Sequence, residues 1–122
     1  MDTIFLQRYT DAWNAHDIEA IMAMMTSDCL FITGGGSDGS GTVFQGAEIV
    51  RPRFEEVWAE FPDVRFENPR HFVDGNRGCS EWVFVATAAD GTAVRIEGSD
   101  LFEFRDGLIS VKNSYIKNRA SS

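Results

Sequence analysis

Apolar positions at the start of the chain recur at helical spacing: Phe5, Tyr9, Ala12 and Trp13 share one face, and Asn14-Ala15-His16 then interrupts the pattern. Asp17 is placed to cap a second helix, with Ile18, Ile21, Met22 and Met25 on one face and Glu19 in the first turn, where a carboxylate suits the helix dipole. Cys29 to Thr33 reads as a short apolar strand. The string from Gly34 to Gly41 holds five of the chain's 11 glycines and predicts a loop, placed as a flap at a pocket mouth. A third helix is predicted from Val50, Phe54, Val57, Trp58 and Phe61, with Pro52 either kinking it or sitting in its first turn and Pro62 marking its end.

The period then changes. Four β-rich runs follow, near Val64 to Val73, Ser80 to Ala88, Thr92 to Phe104 and Leu108 to Ile116, separated by Asp74-Gly75, Asp90-Gly91 and Asp106-Gly107. Asp-Gly between strands is a hairpin signal, so the back half is expected to be an antiparallel meander. Helices ahead of a meander predict one α+β domain over residues 1–122, the helices covering one face of a curved sheet and enclosing a pocket.

Alternation also points polar residues inward. In the run from Ile96 to Phe104, Ile96, Gly98, Asp100, Phe102 and Phe104 share a face, while Glu97, Ser99 and Glu103 occupy the other. Asp100 is therefore read as buried or at a cavity edge, where an apolar setting would keep its carboxyl protonated as a hydrogen-bond donor. The structural alternative is that it ties down a neighbouring backbone or meets water near Gly98. Tyr9 lies on the apolar helix face and needs a partner for its phenol, whether as a pocket-lining donor or as a core residue. His71 is the candidate general base, against the ordinary reading of a histidine near a turn; His16 is the weaker one. In the last run, strict alternation sets Asn113 and Tyr115 beside Ile109 and Val111, as cavity lining or as core or dimer contacts. Trp13, Thr33, Trp58 and Phe102 complete the expected ligand-binding set.

Composition narrows the partners. The 19 acidic against 11 basic residues give a net charge of −8, which argues against nucleic acid and anionic membrane surfaces. No run approaches the roughly eighteen apolar residues of a membrane span, and Met1 to Trp13 lacks a basic flank before an apolar stretch, so no signal peptide is read there. Cys29 and Cys79 are then expected as reduced thiols in a cytoplasmic protein. The two histidines and two cysteines form no zinc spacing, the Gly-rich string matches no phosphate-binding motif, and no nucleophile elbow occurs, so neither metal nor cofactor is expected.

Several strings together resemble the nuclear transport factor 2-like superfamily, the cone-shaped fold of ketosteroid isomerases, SnoaL-type polyketide cyclases, scytalone dehydratase and limonene epoxide hydrolase. They are Gln7-Arg8-Tyr9 through Trp13-Asn14-Ala15-His16-Asp17, Met25-Thr26-Ser27-Asp28-Cys29, Phe44-Gln45-Gly46, and Gly98-Ser99-Asp100-Leu101-Phe102-Glu103-Phe104-Arg105-Asp106-Gly107. The resemblance spans essentially the whole chain. It implies that Tyr9 matches the oxyanion-hole tyrosine of the isomerases and Asp100 their protonated aspartic acid, itself a worked example of a carboxyl kept neutral by its site. The isomerases' proton-shuttling aspartate is replaced by Thr33 ahead of Gly34-Gly35-Gly36, and the cyclases' acid/base aspartate is replaced in Lys112-Asn113-Ser114. Asp17 and His71 are loosely similar in position to the dyad of the dehydratase branch.

Two functions follow as expectations. One is an isomerase, lyase or cyclase moving a proton on a small apolar carbonyl or hydroxy compound, with Tyr9 and Asp100 as oxyanion donors and the base supplied by His71, by Asp38 or by a carboxylate the pattern does not place. The other is a non-catalytic protein binding a hydrophobic ligand or serving in assembly. A homodimer through the open sheet face is expected in either case, with Trp82 and Tyr115 among its exposed residues.

Overall fold

A computed structural model describes residues 1–35 and 39–117. Helix α1 (Thr3–Asn14) starts at Asp2, whose side chain accepts from the Phe5 backbone N–H. The short α2 (Ile18–Ala23) is capped by Asp17, which accepts from the Ala20 N–H at 3.1 Å. Strand β1 (Met25–Ile32) begins at Met25, a residue the helical periodicity had placed on α2, and is followed by β2 (Val43–Gln45), a short strand the sequence pattern did not show. Helix α3 (Ala47–Glu60) carries Pro52 in its interior, beyond the first turn, where the ring leaves the Glu48 carbonyl without its helical partner.

The long strands β3 (Arg65–Asp74), β4 (Arg77–Thr87), β5 (Ala93–Arg105) and β6 (Leu108–Ile116) follow as consecutive antiparallel neighbours. The three Asp-Gly dipeptides fall at the turns between them, Asp74 closing β3 and the other two pairs lying in the connections. At the last, Asp106 and Gly107 both adopt positive φ, the backbone a tight two-residue hairpin requires. The complete sheet is six-stranded, in the order β2-β1-β6-β5-β4-β3, and β1 runs parallel to β6. The expected antiparallel meander holds for β3 to β6, and the sheet as a whole becomes mixed because β1, separated from β6 by β2, α3 and the first three meander strands, pairs with the free edge of β6 in parallel. The α+β class, with three helices in the N-terminal half against a curved sheet, is as the pattern predicts.

The core lies between the helices and the inner sheet face. Leu6, Ile21, Val50, Phe54, Phe102 and Ile109 are fully buried there. Its aromatic rings meet edge to face, Tyr9 on Phe102 with centroids 5.7 Å apart and Trp13 on Phe54 at 4.8 Å. Asn14 fastens the end of α1 to the start of β3 by a reciprocal pair, accepting from the Phe66 N–H at 2.7 Å and donating to the Phe66 carbonyl at 3.0 Å.

One irregularity positions the site. Phe104 pairs with Ile109 and Glu103 with Val111, so Ser110 is an extra residue on β6, a bulge whose hydroxyl donates to the Glu103 carbonyl. Before it Ile109 faces the core; after it Lys112 does.

Candidate functional site

The inner face carries a row of polar side chains from four neighbouring strands: His71 pairs with Ser80, Ser80 with Asp100, and Asp100 with Ser114. Asp100 is 5% exposed and accepts three hydrogen bonds. Lys112 Nζ lies 3.0 Å and Ser114 Oγ 2.6 Å from its Oδ1, and Trp82 Nε1 lies 3.0 Å from its Oδ2. Lys112 is equally buried, and its ammonium also donates to Ser114 Oγ at 3.1 Å. It sits among three aromatic faces, 4.9 Å from the Phe31 ring centroid and 5.7 Å from those of Trp13 and Phe54. The carboxylate and the rings together satisfy a cation that would otherwise be prohibitive at this depth.

This arrangement corrects the reading of Asp100 as a protonated donor. Three donors converge on its two oxygens, one of them the Lys112 ammonium, so the carboxyl serves as an acceptor. Burial itself, read from alternation, is as expected.

Tyr9 is 2% exposed, and its hydroxyl donates to Met25 Sδ at 3.6 Å, a weak acceptor. Burial raises the phenol's pKa well above its ordinary value; the nearby Trp13 indole opposes this in part, while the charge of Asp100 adds to it. Trp13 Nε1 is itself buried without a hydrogen-bond partner of good geometry.

His71 Nδ1 lies 2.7 Å from Ser80 Oγ and its Nε2 lies 3.0 Å from Gln7 Oε1. Burial lowers its pKa below that of free imidazole, with Asp11 pulling weakly the other way. It is therefore neutral at pH 7, the form a proton acceptor needs.

Tyr9, Thr10, Trp13, Phe66, Ser80, Trp82, Asp100, Phe102 and Lys112 line a cavity of about 20 Å³ between helix and sheet. That is room for roughly one water or one ligand oxygen. Of the residues expected to bind ligand, Trp13 and Phe102 line it and the others do not. Thr33 closes the glycine-rich loop, its hydroxyl donating to the Gly35 carbonyl and accepting from the Thr42 N–H. Trp58 packs between Trp13 and His16, stacked on the imidazole at 5.0 Å. Asn113 and Tyr115 hydrogen-bond to each other on the outer face, where Tyr115 is 53% exposed, because the bulge at Ser110 reverses the alternation of β6. Trp82, expected outside, is buried on the inner face against Gly98. Asp17 is occupied as the α2 cap, and Asp38 lies outside the described residues.

Sequence reasoning missed Lys112, Ser114, Trp82, Ser80 and Gln7. The bulge hid the first two. The opposition of a large ring to a glycine across β4 and β5 was a usable signal for Trp82, since a Cβ on Gly98 would lie 2.7 Å from its ring. Among the described residues no three His, Cys, Asp or Glu gather in a way that could hold a metal ion, and no helix is long and apolar enough to cross a membrane.

The element order and sheet define a helix-covered, open-sheet α+β domain with the ketosteroid isomerase-like fold. The chain belongs to the SnoaL-like domain family, whose model matches residues 6–111. Among solved structures it is similar to a candidate polyketide cyclase from Xanthomonas campestris pv. campestris, with 20% identity and a TM-score of 0.84 over 95% of this chain and 89% of that one. It is also similar to a candidate isomerase from Bacillus subtilis, at 16% identity and a TM-score of 0.79 over 94% and 85%. A third is a protein with the ketosteroid isomerase-like fold from Catenulispora acidiphila, solved with trimethylamine, at 15% identity and a TM-score of 0.77 over 91% and 83%. No curated protein matches.

Proposed function

We propose that this SnoaL-like chain is an enzyme of isomerase, dehydratase or cyclase type that moves a proton on a small, mostly apolar carbonyl or hydroxy compound. The observation that carries the reading is the Lys112–Asp100 ion pair, buried where an apolar pair would fold at least as well. A cation kept at that depth beside a small cavity is suited to stabilising a developing oxyanion. The ligand's oxygen takes the place of the single water the cavity admits. Lys112 donates its remaining N–H to that oxygen, and Tyr9, whose hydroxyl otherwise meets the weak thioether acceptor of Met25, donates its hydroxyl. Asp100 orients and balances Lys112. His71 is the proton acceptor. Trp13, Phe66 and Phe102 meet the apolar body of the ligand and move aside to admit it.

The protein's own ammonium already occupies the space among Phe31, Trp13 and Phe54, so a free amine is a poorer fit than a neutral carbonyl. The small cavity volume favours a second reading, a non-catalytic hydrophobic-ligand or assembly protein. In either reading the functional unit is a homodimer, joined through the outer sheet face that carries Phe72 and Tyr115.

The test is exchange of α-hydrogens for deuterium in cyclohexanone and acetophenone, followed by proton NMR. The enzyme reading expects acceleration over buffer, reduced about 10²–10³-fold in Tyr9→Phe, the effect of losing one oxyanion donor. No acceleration with either ketone, together with saturable quenching of tryptophan fluorescence, establishes the binding reading instead.

A further inference from the structure

The proposed reaction leaves a gap between its proton acceptor and its cavity, because His71 is not among the lining residues whereas Ser80 is. Ser80 is 2% exposed, with its hydroxyl 2.7 Å from His71 Nδ1. The direction of that hydrogen bond follows from the residues beyond it. Asp11 Oδ1 can only accept, so the Gln7 atom 2.9 Å from it is the amide nitrogen. The other end of Gln7, which faces His71 Nε2 at 3.0 Å, is then the carbonyl oxygen, and Nε2 must carry the proton. Neutral His71 is left with a bare lone pair on Nδ1, and Ser80 donates to it.

We infer that Ser80 is the relay through which the cavity exchanges protons with His71, and that Gln7, fixed by Asp11, is the positioning residue that sets the histidine's tautomer. The inference rests on the proton-transfer reading above. As the proton leaves the ligand for Ser80 Oγ, the Ser80 hydroxyl proton passes to His71 Nδ1. Serine is neutral before and after, the imidazole becomes imidazolium, and the ligand becomes the enolate held by Lys112 and Tyr9. Return of the proton along the same two bonds restores the starting protein. Asp11 faces the imidazolium from α1, and the Asp100–Lys112 pair lies beyond Ser80 along the row.

The chain Asp11, Gln7, His71, Ser80 has the order of an oriented base acting on a hydroxyl. What distinguishes it here is that the hydroxyl, rather than the base, reaches the cavity. A purely structural role would need neither the fixed tautomer nor the hydroxyl's place in the cavity wall.

The experiment uses the ketone exchanged faster by the wild-type protein in the deuterium assay. Ser80→Ala should lower the exchange rate about 10²-fold, within the range for loss of general acid–base catalysis, with KM for the ketone unchanged. Ser80→Thr, which keeps the hydroxyl, should restore most of it. His71→Asn and the double variant Ser80→Ala/His71→Asn should be no slower than Ser80→Ala by more than a few-fold, because the two act as one unit. The fall in rate at acid pH should disappear in Ser80→Ala. Nitrogen-15 NMR of the wild-type chain should show His71 as the Nε2–H tautomer, and Gln7→Glu should disturb it. Wild-type speed and an unchanged pH profile in Ser80→Ala would overturn the relay while leaving the proton-transfer reading intact. So would an Nδ1–H tautomer, which cannot accept from Ser80. A wild-type protein that exchanges neither ketone takes down the reading and the relay together.

Discussion

A lysine ammonium beside one carboxylate, both out of water, has most of its stability in the partnership. Removing either member strands a buried charge and costs about 3–5 kcal/mol, whereas replacing both with apolar side chains is often neutral or stabilising. Lys112→Met is therefore expected to lose about 3–5 kcal/mol in urea unfolding, and Lys112→Met/Asp100→Leu to recover most of that loss. Equal destabilisation in the double variant would show that Trp82 and Ser114, which also bind Asp100, matter more than the ion pair. His71 makes a second residue-scale prediction. Its folded pKa lies below the unfolded value of about 6.5, so the unfolded chain binds its proton first as the medium is acidified. The histidine's contribution is present above about pH 6.5 and is lost as pH falls through the lowered folded value. His71→Asn should flatten the wild-type decline in stability between neutral and mildly acid pH, measured as urea midpoints across that range. An unchanged slope would assign the decline to other groups.

At the scale of elements, β4, β5 and β6 work as one frame. Trp82 lies across Gly98 of the neighbouring strand, and the indole N–H thereby reaches Asp100. A Cβ at Gly98 would stand 2.7 Å from the Trp82 ring and 2.7 Å from the Tyr115 carbonyl, with backbone on one side and a packed ring on the other. Gly98→Ala should cost about 1–3 kcal/mol by overpacking and displace Trp82 from Asp100. Denaturant unfolding and the shift of the Trp82 indole N–H resonance read the two effects. A stable variant with that resonance unmoved would mean that the frame yields elsewhere. The bulge at Ser110 is the other element-scale device. One added residue turns Lys112 inward and Tyr115 outward, where unbroken alternation would do the reverse.

For the whole molecule, the helices cover only one side of the sheet. Phe72 on β3 and Tyr115 on β6 remain 58% and 53% exposed on the other. The homodimer proposed from that face predicts a sedimenting mass of two chains at micromolar concentration, converted to one by Tyr115→Arg. A single-chain mass in the unaltered protein would remove the dimer from the functional picture. That face also carries charged side chains near Tyr115, among them Arg70 paired with Glu81 and Lys117 near Glu97.

Periodicity alone determined the helix-then-strand order, the Asp17 cap, the three Asp-Gly turns and the burial of Tyr9, Trp13, Asp100 and Phe102. Each depends on contacts between residues near in sequence, or on which face of one element is apolar. What surrounds Asp100 depended on register between strands. A bulge at one residue reverses every side chain after it, and no pattern within β6 announces that reversal, so Lys112 and Ser114 were legible only once β5 was laid beside it. The parallel pairing of β1 with β6 and the link from Gln7 through His71 to Ser80 likewise join residues far apart in the chain. The size of the cavity was decided last, because it is the small difference between the volume the helices enclose and the volume of the aromatic side chains that fill it.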